Sequence, residues 1–307
     1  MSGEVDIGAN RIGRIGLGTV QWGLDYGVAN DSGRPSGDVV KDILRNAWQV
    51  GANLLDTAAA YGEAEELIGG LRQADAFEVV TKTLPYYPEV AGGRARIELV
   101  IEGFERSLSR LRRDRVYGLL VHHCDELLAA HGPELWSRLA RLKDEGRVRR
   151  VGVSVYTPEQ LERLLASFPI DMVQFPFNVF DQRFLRTGFF DRLHRAGVEV
   201  HVRSAFLQGV ALMPEGALPP YLSELAPIHA DWRRETAATG MSFVGGALGF
   251  CLQHPAVSRV IVGCDTVEQV GMLFKAAVEG YLELSDIDRF DVRDPNLIDP
   301  RKWPPRS

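Results

Sequence analysis

The sequence predicts an α/β chain folded as a (β/α)8 TIM barrel in one domain. Three observations carry that expectation: eight short β-rich apolar runs, helical spacing between them, and no linker or charge block that divides the chain. The runs cover 15–20, 52–58, 77–83, 116–123, 148–155, 171–178, 198–205 and 259–264. Strands that alternate with helices need crossover connections, and such connections favour parallel sheets covered on both faces. Eight such units close into a barrel. An open doubly wound sheet would need a Gly-rich turn leading from the first strand straight into a helix, and Gly16-Leu17-Gly18-Thr19 lacks that spacing.

Taken in order, Val5-Asp6-Ile7 and Asn10-Arg11-Ile12 are expected to pair as an N-terminal hairpin that closes the bottom of the barrel. After the first strand, Gln21-Trp22-Gly23-Leu24-Asp25-Tyr26-Gly27 is too polar and too broken by glycine to begin a helix, so a loop is expected. Val39, Val40, Ile43, Leu44 and Ala47 then recur at helical spacing, as do Ile97, Val100, Ile101, Phe104, Leu108 and Leu111. Two later helices carry start signals. Thr157-Pro158-Glu159-Gln160 joins a cap, a proline at the first helical position and a capping-box glutamine, and Thr266 with Gln269 repeats the box. The segment 294–307 holds Pro295, Pro300, Pro304 and Pro305, which predicts an irregular C-terminal tail across the barrel mouth.

Composition narrows the function classes. The formal charge of −6 over 307 residues argues against a nucleic-acid partner, which would ask for a basic surplus. The longest run without a charge or strong polar group, 244–252, is about half the ~20 residues of a membrane span, so no membrane partner is expected. Glu4 and Asp6 interrupt the region where a secretory signal would stand, and Cys124, Cys251 and Cys264 are odd in number and widely spaced. A cytoplasmic address is the expectation.

Active sites of such barrels gather at the carboxyl ends of the strands. There the sequence places Asp56, Lys82, His122, Ser154, Gln174, Asn178, Arg203 and Ser204, with Tyr61 shortly after Asp56. Asp, Lys and His on three successive strands converge on one mouth.

Leu55-Asp56-Thr57-Ala58 with Tyr61-Gly62 and Glu65, then Thr81-Lys82, Val121-His122-His123 and Val151-Gly152-Val153-Ser154, resemble the motifs of the aldo-keto reductase superfamily. The resemblance spans nearly the whole chain. It implies a catalytic tetrad of Asp56, Tyr61, Lys82 and His122 that moves hydride between a nicotinamide cofactor, NADP or NAD, and an aldehyde, ketone or sugar-type alcohol. The residue types suit that reaction independently. Hydride arriving at a carbonyl leaves an alkoxide that needs a proton, and a phenol is a suitable donor once its pKa is lowered. An ammonium ~4 Å from a phenolate at an effective dielectric of ~20 is worth roughly 4 kcal/mol, so Lys82 is expected to lower Tyr61. Asp56 would hold that ammonium charged, and His122 would donate to the carbonyl oxygen.

The resemblance also implies cofactor contacts at Gly18, Thr19, Asp56, Ser154, Gln174, Arg203, Ser204, Phe206, Gln208, Gly209, Gly263, Asp265 and Gln269. Four positions depart from the family pattern. Val155 follows Ser154 where an asparagine usually holds the carboxamide, which leaves Gln174 more of that grip; Arg203 stands where an aromatic ring usually stacks on the nicotinamide. Asp265 replaces the usual basic residue for the 2′-phosphate, and Leu273 the usual asparagine for adenine. With no Lys or Arg in 263–273, NADH is expected to compete with or beat NADPH. Trp22, Tyr61, Tyr86, His122, His123 and Trp303 are the candidate substrate residues.

Each residue also has a plainer reading. Asp56 and Lys82 form a structural ion pair, Tyr61 is a wall residue, His122 a satisfied core histidine, and Asp265 a helix cap. A redox-sensing barrel with little turnover is the alternative function. No metal site is expected: neighbours in 122–125 alternate between faces of a strand, so they cannot chelate one ion, and a hydrolase site of His122 and His201 lacks a third ligand.

Overall fold

The computed structural model describes residues 11–28, 33–84, 93–280, 282, 284 and 286–304. All eight predicted strands are present: β1 Ile15–Gly18, β2 Leu54–Asp56, β3 Glu78–Lys82, β4 Val116–Val121, β5 Val148–Ser154, β6 Met172–Pro176, β7 Glu199–Arg203 and β8 Val257–Gly263. They pair in parallel in sequence order, and β8 closes on β1 through Ile15↔Val260 to Gly18↔Gly263. The longer helices that follow the strands are α1 Gly37–Gln49, α2 Ala64–Gly70, α3 Gly93–Leu111, α4 Gly132–Asp144, α5 Pro158–Leu165, α6 Phe189–Arg195, α7 Ala226–Ala238, α8 Phe243–Leu252 and α9 Val267–Val278, with single helical turns at Asp125–Leu128 and Arg183–Arg186. Between β7 and β8 a second long helix, α8, is added to the plain alternation.

Two apolar clusters result. The main core lies between strands and helices: Leu17, Leu55, Val79, Leu119, Val153, Val173, Val202 and Val262 from the sheet meet Val40, Ile43, Leu44 and Ala47 of α1 and Ile97, Val100, Phe104 and Leu108 of α3. These helix positions are the ones whose spacing marks an apolar face, and each large side chain there contributes about 1.5–3 kcal/mol. The smaller cluster fills the barrel: Leu54, Val80, Leu120, Met172 and Ile261, from five strands. Gly16 leaves room for it, since a Cβ there would stand 2.7 Å from Ile261 and 2.9 Å from Leu54.

The predicted capping box at Thr157 forms in full, and that at Thr266 forms only in its Thr266 half, because the Gln269 side chain turns to the amide one residue earlier. Thr157 Oγ1 accepts from the Gln160 amide, and Gln160 Oε1 accepts from the Thr157 amide. Thr266 Oγ1 accepts from the Gln269 amide at 3.2 Å, and Gln269 Oε1 accepts from the Asp265 amide at 2.7 Å.

Three expectations need correction. Val20–Gly23 forms one helical turn rather than a loop, because burying Trp22 and bonding its indole N–H to the Cys264 carbonyl at 2.9 Å outweighs the segment's polar, glycine-broken character. Of the predicted hairpin, residues 1–10 lie outside the described residues, and Arg11 and Ile12 are helical. The tail is more regular than its prolines suggest: Pro295–Ile298 and Pro300–Lys302 are short turns with proline in the first turn, where a missing N–H costs nothing. Among the described residues, no helix is long and apolar enough to cross a membrane. The three cysteines are free and buried.

Candidate active site

Side chains two residues apart on a strand share a face. Leu54, Val80, Leu120, Met172 and Ile261 face the barrel interior, so Asp56, Lys82, His122, Gln174 and Gly263, each two residues further on, form the next layer up, at the mouth. A backbone period therefore turns scattered polar residues into one ring.

Within the ring, Lys82 Nζ donates to Asp56 Oδ1 at 2.5 Å and to the Thr57 carbonyl at 2.9 Å. Gln174 Nε2 donates to the other carboxylate oxygen, Asp56 Oδ2, at 2.7 Å. All three side chains are buried. Thr19 joins β1 to this layer, its Oγ1 donating to the Asp56 carbonyl at 3.1 Å. The Lys82 ammonium lies 4.9 Å from the centroid of the Tyr61 ring, and the His122 ring meets that ring edge-on at 5.9 Å.

Tyr61 is carried by the turn between β2 and α2, and two glycines seat that turn. A Cβ on Gly23 would stand 1.8 Å from the Tyr61 carbonyl oxygen, while Gly62 has φ +52° and would place a Cβ 2.3 Å from the Gly23 carbonyl. Only glycine permits so close a backbone approach. Glu65 anchors the start of α2, accepting from Thr81 Oγ1 at 2.6 Å and from Arg110 Nε and Nη2 at 2.9 and 2.6 Å.

Burial shapes the electrostatics. It raises the Tyr61 hydroxyl above its ordinary value despite the opposing pull of Lys82, the strongest lowering influence, and of Arg203. The expectation of a net lowering is therefore corrected: the ammonium acts in the expected direction, but desolvation of the phenolate is larger. Lys82 would itself lose charge through burial, but Asp56 and Tyr61 hold it above the ordinary lysine value. His122 is pushed down to about 3 by burial, with Lys82, His123 and Arg203 adding to the effect, and its Nδ1 has no partner. The imidazole is neutral throughout the physiological range.

Of the other predicted cofactor residues, Ser154 is buried beside Gln174, and Gln174 Oε1 is buried without a partner. Its amide nitrogen is committed to Asp56, which leaves the oxygen for the carboxamide grip expected of this residue. Beyond β7 the backbone is strained: Ser204, Leu207 and Gln208 have φ of 60°, 47° and 55°, and Gly209 follows at 94°. Asn178 Nδ2 ties this segment down through the Ser204 carbonyl at 3.0 Å. Phe206 N-caps the turn, and Gln208 Nε2 reaches the Tyr26 hydroxyl at 3.2 Å across the mouth. At the end of β8, Gly263 leaves room for the Gln21 side chain. Thr266, not Asp265, supplies the cap of α9; Asp265 Oδ1 is buried with no partner, and burial raises that carboxyl. Leu273 packs in the core.

The substrate candidates divide. His123 stacks edge-on against His122 at 5.6 Å. Trp22 is 2% and Trp303 8% exposed, and their indole N–H groups are spent on the carbonyls of Cys264 and Asn296, so both act chiefly as packing. Tyr86 lies outside the described residues. Sequence reasoning missed Tyr26, Tyr156 and Arg301. The Tyr156 ring carries two guanidiniums, Arg203 at 4.2 Å and Arg301 of the tail at 3.3 Å. Tyr156 stands two residues past Ser154, so the period that placed the ring would have found it; for Arg301 no local signal exists.

Comparison with known proteins agrees with this fold. The model of the Aldo/keto reductase family matches residues 14–292. Aldo-keto reductase YhdN of Bacillus subtilis (strain 168) is 32% identical over 176 residues, 55% of this chain and 51% of that protein. The chain thus aligns with about half the length of that relative. L-glyceraldehyde 3-phosphate reductase of Escherichia coli O157:H7 is 26% identical over 74% of this chain and 75% of its own. Among solved structures, aldo-keto reductase AKR11C1 from Bacillus halodurans, in its holo form, superposes with a TM-score of 0.73 at 20% identity, covering 92% of this chain and 95% of that one.

Proposed function

The chain belongs to the aldo/keto reductase family of NAD(P)-dependent oxidoreductases, and on that premise we propose that it interconverts a carbonyl and an alcohol with Tyr61 as the proton donor and acceptor. The single observation that carries the reading is the contiguous buried chain Gln174, Asp56, Lys82, ending on the Tyr61 ring beside an edge-on, neutral His122.

The residues present fit a dinucleotide. Two buried acceptors, Gln174 Oε1 and Asp265 Oδ1, have no partner, and a carboxamide NH2 and a ribose hydroxyl are the donors such atoms require. Ser154 and Gln174 would hold the nicotinamide, the strained segment 204–209 the phosphates, and Asp265 the adenosine ribose. Bound there, the cofactor supplies or accepts the hydride.

The chain's own residues do the rest. His122, uncharged, donates a hydrogen bond to the carbonyl oxygen and leaves the proton to another group. Tyr61, raised by burial, is fully protonated at neutral pH, the state needed for reduction. As hydride reaches carbon, the oxygen takes the Tyr61 proton, and Lys82, held charged by Asp56, stabilises the phenolate until solvent restores the proton. Oxidation runs the same steps in reverse.

The unpartnered Oδ1 of the Asp265 carboxylate and the absence of any Lys or Arg in 263–273 favour NADH over NADPH, because a carboxylate repels a 2′-phosphate and accepts from a 2′-hydroxyl. The substrate is a small carbonyl or sugar-type molecule, walled by Tyr26, His123 and Tyr156. The whole chain acts as one cytoplasmic barrel domain. Tyr61→Phe tests the reading: cofactor binding by fluorescence titration is retained, while turnover with aldehydes and aldoses falls by orders of magnitude. An unchanged rate removes Tyr61 from the mechanism, and a wild-type protein that binds cofactor without turning over any carbonyl favours a redox sensor.

A further inference from the structure

We propose that Arg203 selects the substrate by binding a carboxylate or phosphate carried a few atoms from the reacting carbonyl. The inference rests on the oxidoreductase reading above and names the substrate class of the same site.

Position comes first. Arg203 ends β7 two residues beyond His201, whose side chain is fully buried within the barrel, so it continues the inward face into the mouth. It pairs in register with Pro176 on β6, two residues past the Gln174 that reaches Asp56. The side chain therefore stands at the rim of the ring that holds the reacting groups. Its charge lowers both Tyr61 and His122, which agrees with that placement.

Charge accounting then isolates it. Lys82 is matched by Asp56 at 2.5 Å. Arg301, on the same Tyr156 ring, is forked by Asp299 at 2.9 and 2.5 Å. Arg183 is forked by Asp181 at 2.7 Å through both nitrogens. Arg203, by contrast, has no carboxylate within ion-pair distance among the described residues. Among the described residues, with both histidines lowered toward the neutral form, Arg203 is thus an uncompensated cation on the substrate side of the mouth.

Donor accounting gives the same answer. A guanidinium has five N–H donors in its plane. Arg203 spends one of them, on a long 3.5 Å contact to the Val155 carbonyl. Its face is stacked on Tyr156 at 4.2 Å, which orients the plane without using its edge. A fixed guanidinium edge with unspent donors matches the planar fork of a carboxylate or the oxygens of a phosphate. Tyr156 occupies one face of the Arg203 plane, which leaves the edge donors pointing into the mouth as the part of the group without a protein partner.

The test uses matched aldehydes: glyceraldehyde against glyceraldehyde 3-phosphate, and butanal against 4-oxobutanoate, which separate the phosphate from the carboxylate source. For at least one pair, wild-type kcat/KM favours the anion by on the order of 10- to 100-fold, the span of a charge-assisted hydrogen bond. In Arg203→Met that ratio collapses toward one, mainly through KM for the anion, and Arg203→Lys restores part of it. A wild-type ratio near one for both pairs overturns the proposal. So does an unchanged ratio in Arg203→Met accompanied by a tenfold or greater rise in the NADH dissociation constant, which would assign the side chain to the cofactor. If no aldehyde turns over, the oxidoreductase reading fails separately, and calorimetry of glycerol 3-phosphate against glycerol, and of succinate against butane-1,4-diol, still decides: Arg203-dependent binding of an anion supports the site, and equal binding of anion and neutral partner sinks it.

Discussion

Replacing Lys82 by methionine removes the cation from a buried pair whose separation is 2.5 Å. At an effective dielectric of ~20 that pair is worth about 7 kcal/mol before desolvation is counted. The net loss on breaking such a pair is about 3–5 kcal/mol, because the remaining carboxylate stays buried without its counter-charge. Asp56 would keep Gln174 as its sole side-chain donor among the described residues. The double variant Asp56→Asn/Lys82→Met leaves no uncompensated charge, and the carboxamide introduced on β2 would still offer an oxygen to Gln174. It is therefore expected to be more stable than Lys82→Met alone by about 2 kcal/mol. Urea unfolding at pH 7.5, followed by far-ultraviolet circular dichroism with m-values compared, measures this. Turnover is lost in both variants, since neither can hold the Tyr61 phenolate. A double variant whose loss equals the sum of the two single losses would refute a coupled charge pair. Recovery of activity together with stability would show that the pair is architectural and takes no part in the chemistry.

Two further outcomes are expected. Asp265→Arg should raise the ratio of kcat/KM for NADPH over NADH by about 10- to 100-fold by exchanging a repelling charge for a forked donor, with Asp265→Asn intermediate; a ratio that ignores both variants would place the ribose elsewhere. Burial lowers His254 to about 4, among the rings of Phe177, Phe190 and Phe250, whereas an unfolded histidine titrates near 6.5. Its contribution to stability is fully present above pH 6.5 and is lost as pH falls toward 4, because the unfolded chain takes up a proton that the fold refuses. His254→Leu should therefore flatten the stability profile between those limits, and parallel profiles for the two proteins would contradict the assignment.

The strands were legible because their signal is local: β-rich apolar runs at barrel spacing, with the polar residue of interest at the carboxyl end. The capping box at Thr157 and the N-cap at Thr266 were legible for the same reason, since cap and partner lie within one turn. Trp22 misled because its fate depends on a carbonyl contributed by the far end of the chain, at Cys264. Arg203 was placed at the right strand end, yet the partner that occupies its face comes from the loop after β5.

From the sequence alone came the barrel, the order of its strands and the layer on which Asp56, Lys82 and His122 meet, all consequences of a two-residue period and of strand–helix alternation. Tertiary structure decided the rest: that Gln174 spends its amide nitrogen on Asp56, that desolvation outweighs Lys82 at Tyr61, and that Arg203 spends one donor on the Val155 carbonyl and keeps the others. Those outcomes depend on distances between ends of different strands and on exclusion of water, which closure of the barrel sets and which no run of neighbouring residues encodes.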